Sequence, residues 1–208
     1  MADLVYLHPL WERLWHWVHA LLILGLALTG LHLHWPDVLP LFGSLATAVS
    51  LHEALGWALI LDLAAWLGFN LATGRLHHYL PAVNDLGVGG LRQARYYAWG
   101  IFRGEPHPYH SSPARKFNPL QRLSYAIVMF AMVPGLVISG LLFMHPLGLQ
   151  RLAGGTTWVA VVALVHTLLA FGAAAFTVLH VYLVSTAPGL TSDLRSMVTG
   201  WKPAEPEH

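Results

Sequence analysis

The chain has 208 residues, 56% of them hydrophobic and only 10% charged, with a formal net charge of +1 and no cysteine. A soluble domain carries about 25% charged residues, so this is the composition of a membrane protein, and the mean hydropathy of +0.55 agrees. The small net charge and the lack of a basic cluster interleaved with aromatics exclude nucleic acid as a partner, and zero cysteine excludes disulfides, thiolate-bound metal and the C-x-x-C-H attachment.

The first twelve residues carry no basic stretch and no small-residue cleavage site ahead of a short apolar core, so the first apolar segment is expected to be retained. Four segments reach the roughly 20 residues that crossing a bilayer requires. The first is predicted as a helix over about 14–34, opened by Arg13 and closed at Trp35-Pro36, where proline disfavours helix in the residue before it; it holds His16, His19, His32 and His34. The second, about 50–72, carries His52, Glu53 and Asp62 and ends at Thr73-Gly74-Arg75. The third, about 120–144, contains Pro134 as a kink. The fourth, about 156–185, carries His166 and His180 and stops before Pro188-Gly189. Connections 35–49 and 145–155 are short, whereas 75–117 is long and rich in Arg, His, Tyr and Pro. Within it, Leu91–Phe102 mixes Arg92 and Arg95 with Tyr96, Tyr97, Trp99 and Phe102, the pattern of a short helix lying at the membrane interface or of an ordinary packed loop helix. The whole chain, 1–208, reads as one all-α membrane domain, a bundle of four transmembrane helices.

Lys and Arg orient that bundle, because the cytoplasmic side holds the excess of positive residues near helix ends. Ten of the eleven fall on one side of a four-span drawing and only Arg151 on the other. Both termini and the 75–117 segment are therefore expected in the cytoplasm. A faint repeat runs through the spans: Gly25-Leu26-Ala27-Leu28-Thr29-Gly30-Leu31 is echoed by Gly135-Leu136-Val137-Ile138-Ser139-Gly140-Leu141, each downstream of an Arg-Leu pair. It suggests two helical hairpins packed through small residues.

Histidine is the chemistry-bearing residue of the spans. His166 and His180 are 14 residues apart, just under four turns, so both leave one face of the fourth helix about 21 Å apart along its axis. Ionisable groups in hydrocarbon are costly and persist mainly where they bind something or face a bundle interior. Depth then selects partners. His16 and His180 lie near the cytoplasmic ends of the first and fourth helices; His52 and His166 lie in the outer half. Two pairs form at two depths, here called inner and outer, each suited to the two axial positions of a haem iron. Gly30, 14 residues after His16, leaves open space at the outer level for a macrocycle. His19 shares roughly the face of His16 and rivals it as the inner ligand. His32 and His34 are expected to be solvated at the outer edge, and His8, His77, His78, His107, His110, His145 and His208 lie in loops or near the termini. Asp62, deep in the second helix, reads either as a proton-path residue or as a side chain hydrogen-bonded to a neighbouring helix. Glu53, nearer the outer surface, is expected to be solvated.

Arg13-Leu14-Trp15-His16-Trp17, Leu51-His52-Glu53-Ala54-Leu55-Gly56-Trp57, Asn70-Leu71-Ala72-Thr73-Gly74-Arg75, Lys116-Phe117-Asn118-Pro119-Leu120-Gln121 and the stretch from His166 to Tyr182 together resemble the four-helix dihaem b cytochromes. The resemblance spans essentially the whole chain. It is to the cytochrome subunits that anchor respiratory molybdenum enzymes and nickel–iron hydrogenases, especially the thiosulfate-reductase type, and more distantly to the formate dehydrogenase gamma subunit. It implies two haem b groups, with axial ligands His16 and His180 on the inner iron and His52 and His166 on the outer, and it selects His16 over His19. It also implies a multi-pass protein of the bacterial inner membrane and a quinone pocket beside the cytoplasmic haem, where Asn118 and Gln121 begin the third helix. Read alone, those two residues are equally a helix cap and its neighbour. Pro106-His107-Pro108-Tyr109-His110 and Arg115-Lys116 would bring titratable groups to the same depth.

The expected function is an electron-transfer subunit, not an enzyme on its own. Electrons would pass between an extracytoplasmic molybdenum or nickel–iron oxidoreductase, directly or through an iron–sulfur or haem subunit, and the quinone pool. The competing readings are a histidine-rich membrane transporter of metal ions or protons, and a haem-free membrane anchor.

Overall fold

The computed structural model describes residues 4–82, 85, 87–109, 116–153, 156–185 and 192–203. In chain order, strand β1 (Leu4–Tyr6) precedes helices α1 (Leu10–His34) and α2 (Leu45–Ala72), a 3-10 turn (Arg75–His78), α3 (Val88–Ala98) and a second 3-10 turn (Gly100–Arg103). Helices α4 (Pro119–Met144), α5 (Pro146–Ala153), α6 (Thr157–Ser185) and α7 (Ser192–Thr199) and strand β2 (Trp201–Pro203) follow. Among the described residues α1, α2, α4 and α6 are the helices long and apolar enough to cross a membrane. This is a multi-pass helical membrane protein. Pro188-Gly189, His110, Arg115 and His208 lie outside the described residues.

Two helices start earlier than their hydropathy suggests. Helix α1 begins at Leu10, and the Pro9 carbonyl accepts from Arg13 N; Glu12 in its first turn favours the positive end of the helix dipole. Helix α2 begins at Leu45 because Ser44 caps it, Oγ accepting from Thr47 N at 3.1 Å. Helix α4 starts at Asn118-Pro119 with a reciprocal capping box: Asn118 Oδ1 accepts from Gln121 N at 2.8 Å, and Gln121 Oε1 accepts from Asn118 N at 3.0 Å. Its interior is not a simple kink. A π-helical turn, Val128–Met132, immediately precedes Val133-Pro134, and the extra residue absorbs the missing N–H and ring clash that Pro134 imposes on the preceding turn.

By contacts the backbone forms two compact units, and each of the four long helices contributes residues to both. One comprises Leu14–Trp66 and Met132–Val181. Its helices turn leucine, valine and isoleucine outward, Leu21, Leu61, Ile138, Leu168 and Val178 among them, as side chains facing lipid must. Glycine eases the close approach: a Cβ on Gly25 would sit 2.9 Å from the end of Leu55, and one on Gly135 2.9 Å from the end of Leu169.

The other unit comprises Met1–Arg13, Leu67–Ala131 and Tyr182–His208. Here the chain ends meet as a short antiparallel pair, with Tyr6 opposite Trp201 and their rings 5.0 Å apart. Gly200 has φ +88°, and a Cβ there would lie 2.5 Å from the Tyr6 ring, so only glycine fits. Glu12 is buried and gathers Lys116 Nζ at 2.9 Å, Arg75 at 3.3 Å and His8 at 3.6 Å. Arg122 donates to buried Asp85 at 2.8 Å. In α3 and the turn after it, Gln93 and Tyr96 are buried while Leu91, Trp99 and Phe102 stay exposed beside Arg92, Arg95 and Arg103.

Candidate functional site

The four histidines singled out from sequence fall into two ring pairs. His52 on α2 and His166 on α6 have ring centres 6.3 Å apart with planes at 74°. His16 on α1 and His180 on α6 have centres also 6.3 Å apart, at 54°. An imidazole nitrogen binds a first-row metal at about 2 Å and lies roughly 1.1 Å from its own ring centre. Two rings ligating one metal from opposite sides therefore have centres about 6 Å apart. Either pair has the spacing that two imidazoles holding one metal ion between them would need.

The outer rings are held by two hydroxyls of the glycine-flanked repeat. Thr29 Oγ1 lies 2.8 Å from His52 Nδ1 and donates to Gly25 O at 2.8 Å, with Leu26 O at 3.1 Å. Ser139 Oγ lies 2.9 Å from His166 Nδ1 and donates to Gly135 O at 2.6 Å, with Leu136 O at 3.2 Å. Both hydroxyl residues are buried. The next residue is glycine in each case, and a Cβ on Gly30 would lie 3.6 Å from His52 Cε1, one on Gly140 3.4 Å from His166 Cε1. The repeat seen in the sequence is thus a ring seat used twice, its two halves on α1 and α4. Its signal was present, but its purpose depends on a histidine carried by another helix.

The inner rings lie among aromatics. His16 meets Trp17 edge-on at 5.2 Å, and His180 stacks on Phe176 at 6.0 Å and 18°. His19, the rival inner ligand, is turned to Asp62 instead: its Nδ1 is 2.7 Å from Asp62 Oδ2, and its ring stacks on Trp15 at 4.9 Å. The neighbouring-helix partner expected for Asp62 is therefore a histidine, and both side chains are largely buried.

His32 departs from expectation. It is not solvated but buried, its Nδ1 accepting from Phe42 N at 3.1 Å, which ties the 35–44 connection back onto α1. His34 meets Trp35 and Phe171 edge-on. Glu53 is exposed, as expected.

Asn118 and Gln121 are engaged in the capping box, and Asn118 Nδ2 also donates to Tyr97 OH at 3.2 Å. Burial pushes the Tyr97 phenol above its ordinary pKa, against the pull of that hydrogen bond, so the phenol stays protonated. Gln121 is exposed. His107 is held by Gln93 at 3.2 Å and by the Tyr109 backbone, and Lys116 by Glu12.

Paired histidines on apolar helices suit a membrane-bound b-type cytochrome, and comparison with known proteins gives that class. Residues 7–200 match prokaryotic cytochrome b561, and the chain belongs to that family: it is a haem b electron-transfer subunit of a bacterial membrane. It is similar to "Putative cytochrome YdhU" of Escherichia coli K12, with 35% identity over 205 residues covering 96% of this chain and 75% of that one. It is also similar to "Putative protein-methionine-sulfoxide reductase subunit YedZ1" of Azospira oryzae, 26% identical over 197 residues covering 88% of this chain and 91% of the relative.

Proposed function

We propose that the chain holds two haem b groups, one between His16 and His180 and one between His52 and His166, and passes electrons between an extracytoplasmic oxidoreductase and the quinone pool. The observation that carries this reading is the equal 6.3 Å spacing of two histidine pairs whose members on α6 are about 21 Å apart along the helix. A bound haem supplies one-electron iron chemistry; the chain supplies ligands, depth and electrostatics. The apolar outer faces of the helices keep water from the ligands, and Thr29 and Ser139 orient the outer rings.

An oxidoreductase partner is supported by the Azospira relative, which is named as a reductase subunit; the family resemblance extends this to molybdenum or nickel–iron enzymes. For the quinone, Asn118 and Gln121 remain the proposed contacts. The capping box uses Asn118 Oδ1 and Gln121 Oε1, so the donor offered to a quinone carbonyl is the exposed Gln121 amide nitrogen, with Asn118 holding that side chain in place. Visible spectra of the purified protein, oxidised and dithionite-reduced, test the reading. Low-spin bis-imidazole haem at about two per chain is expected; a folded, colourless preparation contradicts it and revives the transporter or anchor.

A further inference from the structure

We propose that Thr29 and Ser139 are positioning residues that fix the tautomer of the two outer ligands and hold the potential of the outer centre down, one hydroxyl per ring, from the two copies of one helical motif. The inference rests on the reading that His52 and His166 are ligands.

A hydroxyl has one proton to give and two lone pairs to offer. Thr29 Oγ1 sits 2.8 Å from Gly25 O and Ser139 Oγ 2.6 Å from Gly135 O, separations at which two oxygens repel unless a proton lies between them. The hydroxyl protons are therefore committed to the carbonyls one turn back, a bonding pattern open to Ser and Thr inside helices. What each oxygen presents to the imidazole is a lone pair, so the contacts at 2.8 Å and 2.9 Å require the protons on His52 Nδ1 and His166 Nδ1. Each ring is thereby left with its lone pair on Nε2, the nitrogen available to a metal.

The glycines and hydroxyls shared by the two motif copies then each have a task within this chain. Gly25 and Gly135 ease the approach of the partner helix, because a Cβ at either would meet the end of Leu55 or Leu169. Thr29 and Ser139 accept the ring proton beside the Leu26 and Leu136 backbone, which also bonds each ring. Gly30 and Gly140 lie against the ring edges, where a Cβ would already be in van der Waals contact with His52 Cε1 or His166 Cε1. The same geometry occurring twice, on different helices and against different histidines, argues that the hydroxyl is there for the ring. A hydroxyl that served only its own helix would have no reason to meet an imidazole in both places.

The electronic consequence has a sign. An acceptor on Nδ1–H draws the proton outward and raises the basicity of the opposite nitrogen. A more basic axial ligand favours ferric over ferrous iron and lowers the midpoint potential. Removing the hydroxyl leaves the Leu26 or Leu136 backbone as the remaining acceptor, weakens the pull on the proton and raises the potential, and a tenfold change in the ferric-to-ferrous preference reads as about 59 mV in a one-electron couple.

The test is a redox titration of the purified holoprotein, wild type against Thr29→Val and Ser139→Ala, with haem stoichiometry and electron paramagnetic resonance on the same samples. The outer midpoint is expected to rise in both variants and its g values to shift, while the inner midpoint stays in place; Thr29→Ser and Ser139→Thr should restore wild-type values. Outer haem present with an unmoved potential overturns the proposal, as does an equal shift at both centres. Should the valine and alanine variants lose the outer haem, the conservative pair carries the test. A wild-type midpoint in both then supports the hydroxyl role, and a lost haem or raised midpoint in either overturns it. Failure of the ligand reading is separable: full haem content in His52→Ala sinks ligation itself, whatever the hydroxyl variants do.

Discussion

The inner and outer histidine pairs share a ring separation of 6.3 Å and differ in what surrounds them. Around His52 and His166 each ring nitrogen meets a hydroxyl, and each ring edge lies over a glycine. Around His16 and His180 the neighbours are the Trp17 and Phe176 rings, with the His19–Asp62 pair one turn along α1 from His16. On the proposed two-haem reading, the common spacing answers a demand that any two imidazoles on one iron must meet. If both pairs hold haem, these differing neighbours would tune each centre separately, the hydroxyls at the outer pair and the aromatic rings at the inner.

The largest effect that breaks the comparison comes from the ligands themselves. His52→Ala and His166→Ala should share one phenotype, loss of the outer haem with most of the inner retained, and His16→Ala and His180→Ala the reciprocal one, read by haem content of purified protein. A single phenotype for all four would mean that the pairs are not independent.

Next in size is the dyad beside the inner pair. His19→Ala leaves Asp62 buried without its partner and should cost about 3–5 kcal/mol in denaturant unfolding, yet keep the inner haem. If His19→Ala instead removes the inner haem while His16→Ala is silent, the inner ligand is wrongly assigned. Asp62→Asn keeps a hydrogen-bonding side chain of the same shape and should cost less, about 1–3 kcal/mol. Wild-type quinol turnover in Asp62→Asn excludes an essential proton relay there.

The smallest effect separates capping from quinone contact. Asn118→Ala removes a cap worth about 1 kcal/mol, whereas Gln121→Ala should leave both haem signals intact and slow haem oxidation by added quinone. Unchanged quinone-linked turnover in the double variant, with full haem content, moves the quinone site elsewhere, the outer face near His52 being the next to test.

The four spans were legible because hydropathy and length decide them. Their starts were less so: Trp11 and Glu12 look like a polar approach to α1, and Ser44 caps α2 before any strongly apolar run begins. The pairing of β1 with β2 was not legible, since three-residue strands have no periodicity and these lie at opposite ends of the chain. Nor was the π-helical turn, because proline marks a distortion without naming its form. In the site, residue type and depth singled out the two levels and His52, His166 and His180, while the choice of His16 over His19 came from the family resemblance. The Thr29 and Ser139 contacts were not legible, because a hydroxyl one residue before a glycine reads as a small-residue packing motif until the facing helix is in place. His32 was misread for a related reason: a histidine near a helix end looks solvated unless the fold returns a backbone N–H to it.

The most direct measurement of the central claim is low-temperature electron paramagnetic resonance of the fully oxidised protein beside its His166→Ala and His16→Ala variants. Two independent bis-histidine centres predict two low-spin ferric signals in the wild type, one disappearing in each variant while the other persists. A single signal in the wild type, or the loss of both in either variant, would contradict the account.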